Sequence, residues 1–193
     1  MQKIVTLKPW SLITPTGSIS TSAHGGRAKC LQRLIRLGLP VPTTVALSFD
    51  TVHHIAAGQM PDMHAILKAI GPDHLVSGRP SSEDPDWGCP GAILNIGMTN
   101  ARHAALCESL GEPAATALYL RFIQAFSVHV ARLDPEMFDL PERPDRAALD
   151  HALFAYEEET DEEFPQDPAV QLAEVLRSMA RAWAGTTARL LRQ

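Results

Sequence analysis

Gly25-Gly26-Arg27-Ala28-Lys29-Cys30-Leu31-Gln32-Arg33-Leu34-Ile35-Arg36-Leu37-Gly38-Leu39-Pro40-Val41-Pro42-Thr43-Thr44-Val45-Ala46-Leu47-Ser48 is the run of sequence from which the fold is read. Two glycines and two cations, Arg27 and Lys29, stand where an amphipathic helix begins. Leu31, Leu34, Ile35 and Gly38 recur at i, i+3, i+4 and i+7, with Gln32, Arg33 and Arg36 assigned to the opposite face. Gly38 reads as the helix stop, Pro40 and Pro42 prevent continuation, and Thr43 to Ser48 reads as a short strand. A helix N-terminus leaves backbone N–H groups unpaired at the positive end of the peptide dipoles, so this opening suits a phosphate.

A second unit of the same kind follows. His74 to Ser77 reads as an apolar strand that delivers Arg79 into a loop, Pro80 to Gly91, rich in turn formers and hydroxyls. Ala92 to Gly97 reads as the next strand. An arginine at a strand end, beside serines, has the planar fork that matches phosphate oxygens; the competing assignment for Arg79 is an ion pair with Glu83, Asp84 or Asp86.

Elsewhere, Ile4 to Leu7 is a strand candidate, Thr14 to Ala23 a loop, and residues 50 to 70 two short helical pieces broken near Gly58 to Pro61. From Ala101 the pattern becomes helical. Pro113 suits a first helical turn, and Leu118, Phe122, Ile123, Phe126 and Val130 form one buried stripe. Pro135, Pro141 and Pro144 punctuate a connection to a helix over roughly Asp145 to Glu158. Asp167 then caps a last helix with Pro168 at its first position and Leu172, Val175, Leu176, Met179 and Trp183 on its apolar face. The acidic run Glu157 to Glu163 reads as a solvated face.

The chain has 193 residues, 45% of them hydrophobic, enough for one well-filled core with a small appended subdomain. A net charge of −5 argues against nucleic acid or an anionic membrane as partner. Three cysteines without a C-x-x-C pair point to a reducing cytoplasm, and no apolar run is long enough to span a bilayer. The eight histidines include the adjacent His53 and His54 but no metal-binding spacing, so no metal site made by protein ligands is expected.

Taken together, these residues resemble the nucleotide-binding domain of the pyruvate phosphate dikinase family and, more distantly, phosphoenolpyruvate synthase. Gly25-Gly26-Arg27-Ala28 through Leu37-Gly38-Leu39-Pro40-Val41-Pro42 resembles that family's Gly-Gly-Lys-Gly opening and its Leu-Gly-Leu-Pro-Val-Pro. Leu75-Val76-Ser77-Gly78-Arg79-Pro80, then Pro90-Gly91, then Ile93-Leu94-Asn95-Ile96-Gly97 resemble its Leu-Val-Ser-Val-Arg-Ser, Pro-Gly and Ile-Leu-Asn-Leu-Gly. Tyr119-Leu120-Arg121-Phe122-Ile123-Gln124 and Phe164-Pro165-Gln166-Asp167-Pro168 resemble two later landmarks. The landmarks stand in family order over roughly residues 24 to 192.

The resemblance implies an α/β (α+β) fold: the N-terminal lobe of an ATP-grasp nucleotide-binding domain over residues 1–100, and a helical subdomain over 101–193. It implies ATP with Mg²⁺ as ligand. Gly25 and Gly26 would shape the phosphate loop, Arg27 would stand at the family's phosphate lysine, Arg79 at its phosphate arginine, and Ser81 in the small hydroxyl position that follows. Two departures stand out: arginine replaces lysine at Arg27, and Ala28 replaces the next loop glycine. In the family a second lobe carries the Mg²⁺-holding carboxylates, and further domains carry the phosphohistidine and bind pyruvate. The expectation is therefore an ATP-binding module whose catalysis needs a partner, either a second polypeptide or a homo-oligomer that covers the face of the missing lobe. The alternative is a catalytically silent nucleotide-sensing or protein-interaction module.

Overall fold

The computed structural model describes residues 9–82 and 91–185. The Ile4 to Leu7 strand candidate and the loop residues Glu83, Asp84, Asp86, Trp87, Cys89 and Pro90 lie outside the described residues. The chain divides into two units, one built from residues 9–72, 80–82 and 179–185, the other from 73–79 and 91–178. Both combine helices with one small antiparallel strand pair, so the class is α+β. Among the described residues no helix is long and apolar enough to cross a membrane.

The first unit opens with β1 (Trp10–Leu12), which pairs antiparallel with β2 (Val45–Leu47), Trp10 opposite Leu47 and Leu12 opposite Val45. Between them runs α1 (Thr21–Arg36). The helix starts four residues before the diglycine because Ser20, in extended conformation, accepts a hydrogen bond from the Ala23 N–H at 3.1 Å. Thr21 to His24 thus form a helical turn where the composition suggested loop. At its other end Gly38, at φ +74°, sends its N–H to the Ile35 carbonyl, and the Leu39 N–H reaches the Leu34 carbonyl. This crossed pair of bonds is the Schellman closure that a left-handed glycine permits. Helices α2 (Phe49–Ala56) and α3 (Met63–Ile70) follow, capped by Ser48 and Asp62 at the N–H groups of Thr51 and Ala65. Ile13, Ile19, Ala28 and Ala46 are buried together, with Leu31 and Ile35 packed on them.

Gln32 contradicts the polar-face assignment: it is fully buried. Its amide nitrogen donates to the carbonyls of Thr14 (2.9 Å) and Gly17 (2.7 Å), while its amide oxygen accepts from Lys29 Nζ at 2.9 Å. Lys29 also donates to the Ile19 carbonyl at 2.8 Å, and Arg36 Nε to the Pro15 carbonyl at 2.7 Å. The Thr14 and Gly17 carbonyls already accept the N–H groups of Gly17 (3.2 Å) and Ile19 (3.0 Å), and the Gln32 amide fills the second acceptor position of each.

In the second unit β3 (Val76–Gly78) pairs antiparallel with β4 (Ile93–Ile96), Val76 opposite Ile96 and Gly78 opposite Ile93, with an irregular register between. The helices are α4 (Asn100–Leu110), α5 (Glu112–Phe126, Pro113 in its first turn), α6 (Arg146–Thr160, capped by Asp145) and α7 (Pro168–Ala184), whose residues from 179 onward belong to the first unit. A wide helical turn, Ser127–Ala131, ends α5 at Arg132, whose φ is +66°. Tyr119, Phe122, Ile123 and Phe126 of α5 are essentially inaccessible. Phe164 packs edge-on against Tyr119, Phe122, Phe126 and Tyr156, with ring centroids 6.0, 5.7, 5.3 and 5.1 Å away. Each such aromatic pair adds about 0.5–1.5 kcal/mol beyond area burial. Residues Glu157 to Glu159 and Asp161 to Glu163 are exposed, as a like-charged run requires.

Two glutamines lock the start of α7 to the rest of this unit. Gln166 accepts from the Asn100 N–H (2.7 Å) and donates to the Tyr119 hydroxyl (3.1 Å) and the Phe164 carbonyl (3.0 Å). Gln171, with no exposure, accepts from the Gly97 N–H (2.8 Å) and donates to the carbonyls of Met98 (2.8 Å) and Pro165 (2.6 Å). Gln171→Leu keeps the volume but strands those backbone groups, and we expect a loss of about 3 kcal/mol. Urea unfolding at neutral pH checks it.

His103 of α4 is buried, with Nε2 2.9 Å from Thr116 Oγ1. Burial is the main cause that lowers its pKa; Arg146 adds to the shift and Glu112 opposes it. The unfolded chain then binds a proton at an imidazole's ordinary value, about 6.5, while the folded chain resists. His103 therefore contributes stability that is complete above that value and is lost as pH falls through the window between the unfolded and the lowered folded pKa. Thermal melts from pH 8 down to pH 5 should show this decline, and His103→Gln should shrink it.

Candidate functional site

Gly25 breaks α1. Its φ of +81° and ψ of +169° fall in a region open essentially to glycine alone, and the helix restarts at Gly26 with Arg27 and Ala28 in its new first turn. The expected glycine-opened helix start is therefore present, inside α1 and following a short turn. The bend lies against the segment 80–82 of the same unit. The Gly26 N–H donates to the Ser82 carbonyl at 2.6 Å, and Arg27 Nη1 donates to the Pro80 carbonyl. Ser81 Oγ is shielded from solvent and has no hydrogen-bond partner.

The close approach depends on hydrogen at Gly25. A Cβ there would come within 2.8 Å of both the Ser81 carbonyl carbon and the Ser82 nitrogen, and would collide with Ser81 Oγ. Gly25 is buried and Ala28 packs inward, whereas Arg27 is exposed. Ala28, at the position of the resembled family's second loop glycine, is part of the apolar cluster with Ile13, Ile19 and Ala46.

Of the five expected ligand contacts, Gly25, Gly26, Arg27 and Ser81 are brought together within this unit. Arg79 is exposed, directly after β3, and belongs to the other unit. Lys29 points away from the bend to Ile19 and Gln32, as its offset of two helical positions requires. What sequence reasoning missed is the partner of the bend: the N–H and guanidinium expected to await a phosphate hold two carbonyls. No periodicity announces a contact between residues 53 positions apart.

His24, one residue before the bend, accepts from the Ser20 N–H at Nδ1 (3.4 Å), and burial lowers its pKa against that bond. Burial thus disfavours a charged imidazole beside the diglycine, and Arg27 is the cationic side chain that follows it. Among the described residues no group of three or more His, Cys, Asp or Glu is placed to hold a metal ion.

A neutral hydrogen bond such as Gly26 to Ser82 contributes about 0.5–1.5 kcal/mol net, and one to a charged group about 1.5–3 kcal/mol. Exposure of the guanidinium puts the Arg27 bond at the low end. A hydrogen bond with an ionised member runs roughly twice as strong as a neutral one, so the Arg27 bond is already charge-assisted while the Gly26 bond is not.

No family model matches this chain, and no curated protein matches it.

Gly25→Ala combines about 1–3 kcal/mol of backbone strain with about 1–3 kcal/mol of overpacking. Gly38→Ala has the same backbone sign but open space around it, and costs only about 1 kcal/mol. Denaturant midpoints of the two variants, measured side by side, should rank them in that order.

Proposed function

We propose that this chain is an ATP-binding module of the pyruvate phosphate dikinase type, whose family chemistry is ATP-dependent phosphoryl transfer to pyruvate, and that its ATP-grasp lobe meets the nucleotide phosphates at the Gly25–Arg27 bend. One observation carries the reading. Two landmarks far apart in sequence, the diglycine opening and the segment that follows Leu75-Val76-Ser77-Gly78-Arg79, are in direct contact through Gly26 with Ser82 and Arg27 with Pro80. A phosphate site assembled from both landmarks requires that proximity.

The residues fit a polyphosphate in their donor chemistry. Gly26 offers a backbone N–H, Arg27 a planar fork, and Ser81 a hydroxyl without a partner. Bound ATP would supply the transferable phosphoryl group, with Mg²⁺ entering as the counter-ion of its phosphates. The part played by this chain is to bind and orient: Gly25 sets the backbone, Gly26 and Arg27 neutralise phosphate charge, and Arg79 is the further cation assigned by the resemblance. A partner polypeptide or a second copy would supply what catalysis needs beyond this.

The second reading, a nucleotide sensor without chemistry, draws support from Arg27. A broad fork in the place of a compact ammonium keeps the charge but alters how closely a phosphate can approach.

Calorimetric titration with Mg·ATP tests both. Wild type should release heat, and Arg27→Ala and Arg79→Ala should each weaken binding about tenfold or more, the equivalent of one charge-assisted bond. Absence of heat with wild type rejects both nucleotide readings. Transfer of radiolabelled phosphoryl from ATP, with and without a candidate partner, then separates the module that acts from the module that senses.

A further inference from the structure

The donors at the bend are already engaged. Gly26 has a single N–H, and the Ser82 carbonyl holds it at 2.6 Å. One backbone N–H cannot make two good hydrogen bonds at once, so an anion at Gly26 and a carbonyl at Gly26 exclude each other. Arg27 differs: its guanidinium carries five N–H donors, and the Pro80 carbonyl uses Nη1 alone. Arg27 can therefore keep Pro80 while facing an anion; Gly26 cannot keep Ser82.

A second observation concerns the residue between those two carbonyls. Ser81 Oγ is shielded from solvent and makes no hydrogen bond, in contact range of the place a Gly25 side chain would fill. A shielded hydroxyl without a partner disfavours the arrangement that contains it, whereas the two carbonyl bonds favour it. The closed segment is therefore held by carbonyls and opposed by the hydroxyl in its middle.

We propose that residues 80–82 are an internal latch on the phosphate site, the Ser82 carbonyl occupying the Gly26 N–H until an anionic ligand displaces it. The inference rests on the nucleotide reading above and adds its regulation: the apparent affinity equals the intrinsic affinity reduced by the fraction of molecules with the latch open. Displacement is favoured because the incoming acceptor is charged and gives Ser81 the partner it lacks.

The bond can be observed directly. In the full chain, labelled with ¹⁵N and ¹³C, the scalar coupling across the hydrogen bond between the Gly26 amide nitrogen and the Ser82 carbonyl carbon should be present without ligand. It should vanish at saturation with Mg·ATP. Inorganic tripolyphosphate, the second probe, should abolish it as well, since the phosphates do the displacing. Ser81→Ala leaves donors and carbonyls in place and removes only the opposing hydroxyl, so this variant should unfold at higher denaturant and bind Mg·ATP several-fold more weakly. A coupling that persists with ligand bound, while calorimetry shows heat, overturns the latch and leaves the nucleotide reading standing. Absence of heat with wild type overturns the nucleotide reading and the latch with it. Tighter binding by Ser81→Ala overturns the latch alone.

Discussion

Gly25 sets the constraint on which the first unit depends. At φ +81° and ψ +169° it turns the chain out of one helical turn and into the next within a single residue. Absence of a side chain then lets the backbone of 81–82 lie where a Cβ would be. Any other residue at this position would separate α1 from that segment, and the Gly26 N–H would lose its partner. Behind the bend, Ala28 seats the restarted helix in the apolar cluster, and Lys29 and Gln32 tie down the Thr14 to Ile19 loop. The bend is thus clamped on two sides, by a core contact and by polar side chains.

The second unit depends on a different contact, that of Phe164 with four aromatic rings. The segment that bears it, Phe164 to Pro168, does several jobs in succession: the ring fills the core, Gln166 bonds to α4 and α5, and Asp167 caps α7 by accepting from the Ala169 N–H at 2.8 Å. Two of the landmarks that suggest the dikinase resemblance, Tyr119 to Gln124 and Phe164 to Pro168, are therefore packing partners of each other. Their co-occurrence has a structural cause, and any chain with this helical arrangement has reason to carry both. The functional weight of the resemblance falls on the bend and its neighbouring segment, where no core packing demands an arginine.

Local chemistry was legible wherever one residue decides one backbone geometry. Gly38 closing α1, Pro113 opening α5, Asp167 and Pro168 starting α7, and the break near Gly58 all stand where the sequence places them. The strands at 45–47 and 93–96 fall within their expected segments, each shorter because pairing extends only as far as a partner strand does, whereas the strand expected over His74 to Ser77 begins two residues later and runs on to Gly78, which pairs with Ile93. Polarity misled at Gln32. The periodic pattern treats glutamine as a surface residue, yet loop carbonyls with an acceptor position left over draw a long amide inward. Gln171 follows the same rule. Ser20 was legible in principle as an N-cap, but the glycine pair five residues later drew the helix start to itself. The partner of Arg27 had no signal at all, since contacts across 53 residues are decided by the fold and not by local pattern.

Arginine at position 27 acquires a physical reason from this geometry. A lysine ammonium in the same place is a point charge with three donors clustered on one nitrogen, so a bound carbonyl and an incoming phosphate compete for the same few cubic ångströms. A guanidinium spreads five donors over a plane, and the edge that holds the Pro80 carbonyl is not the only edge available. With Arg27 bonded to the Pro80 carbonyl, the proposed opening would leave residue 80 anchored while residue 82 moves. The same fork sets a limit on the proposed reading: a wider cation would keep a phosphate farther from the helix axis than an ammonium does, so the Gly26 N–H, and not the side chain, would supply the closest approach. On the proposed reading, the residue with the least chemistry, a glycine with one donor, would govern whether the site is open.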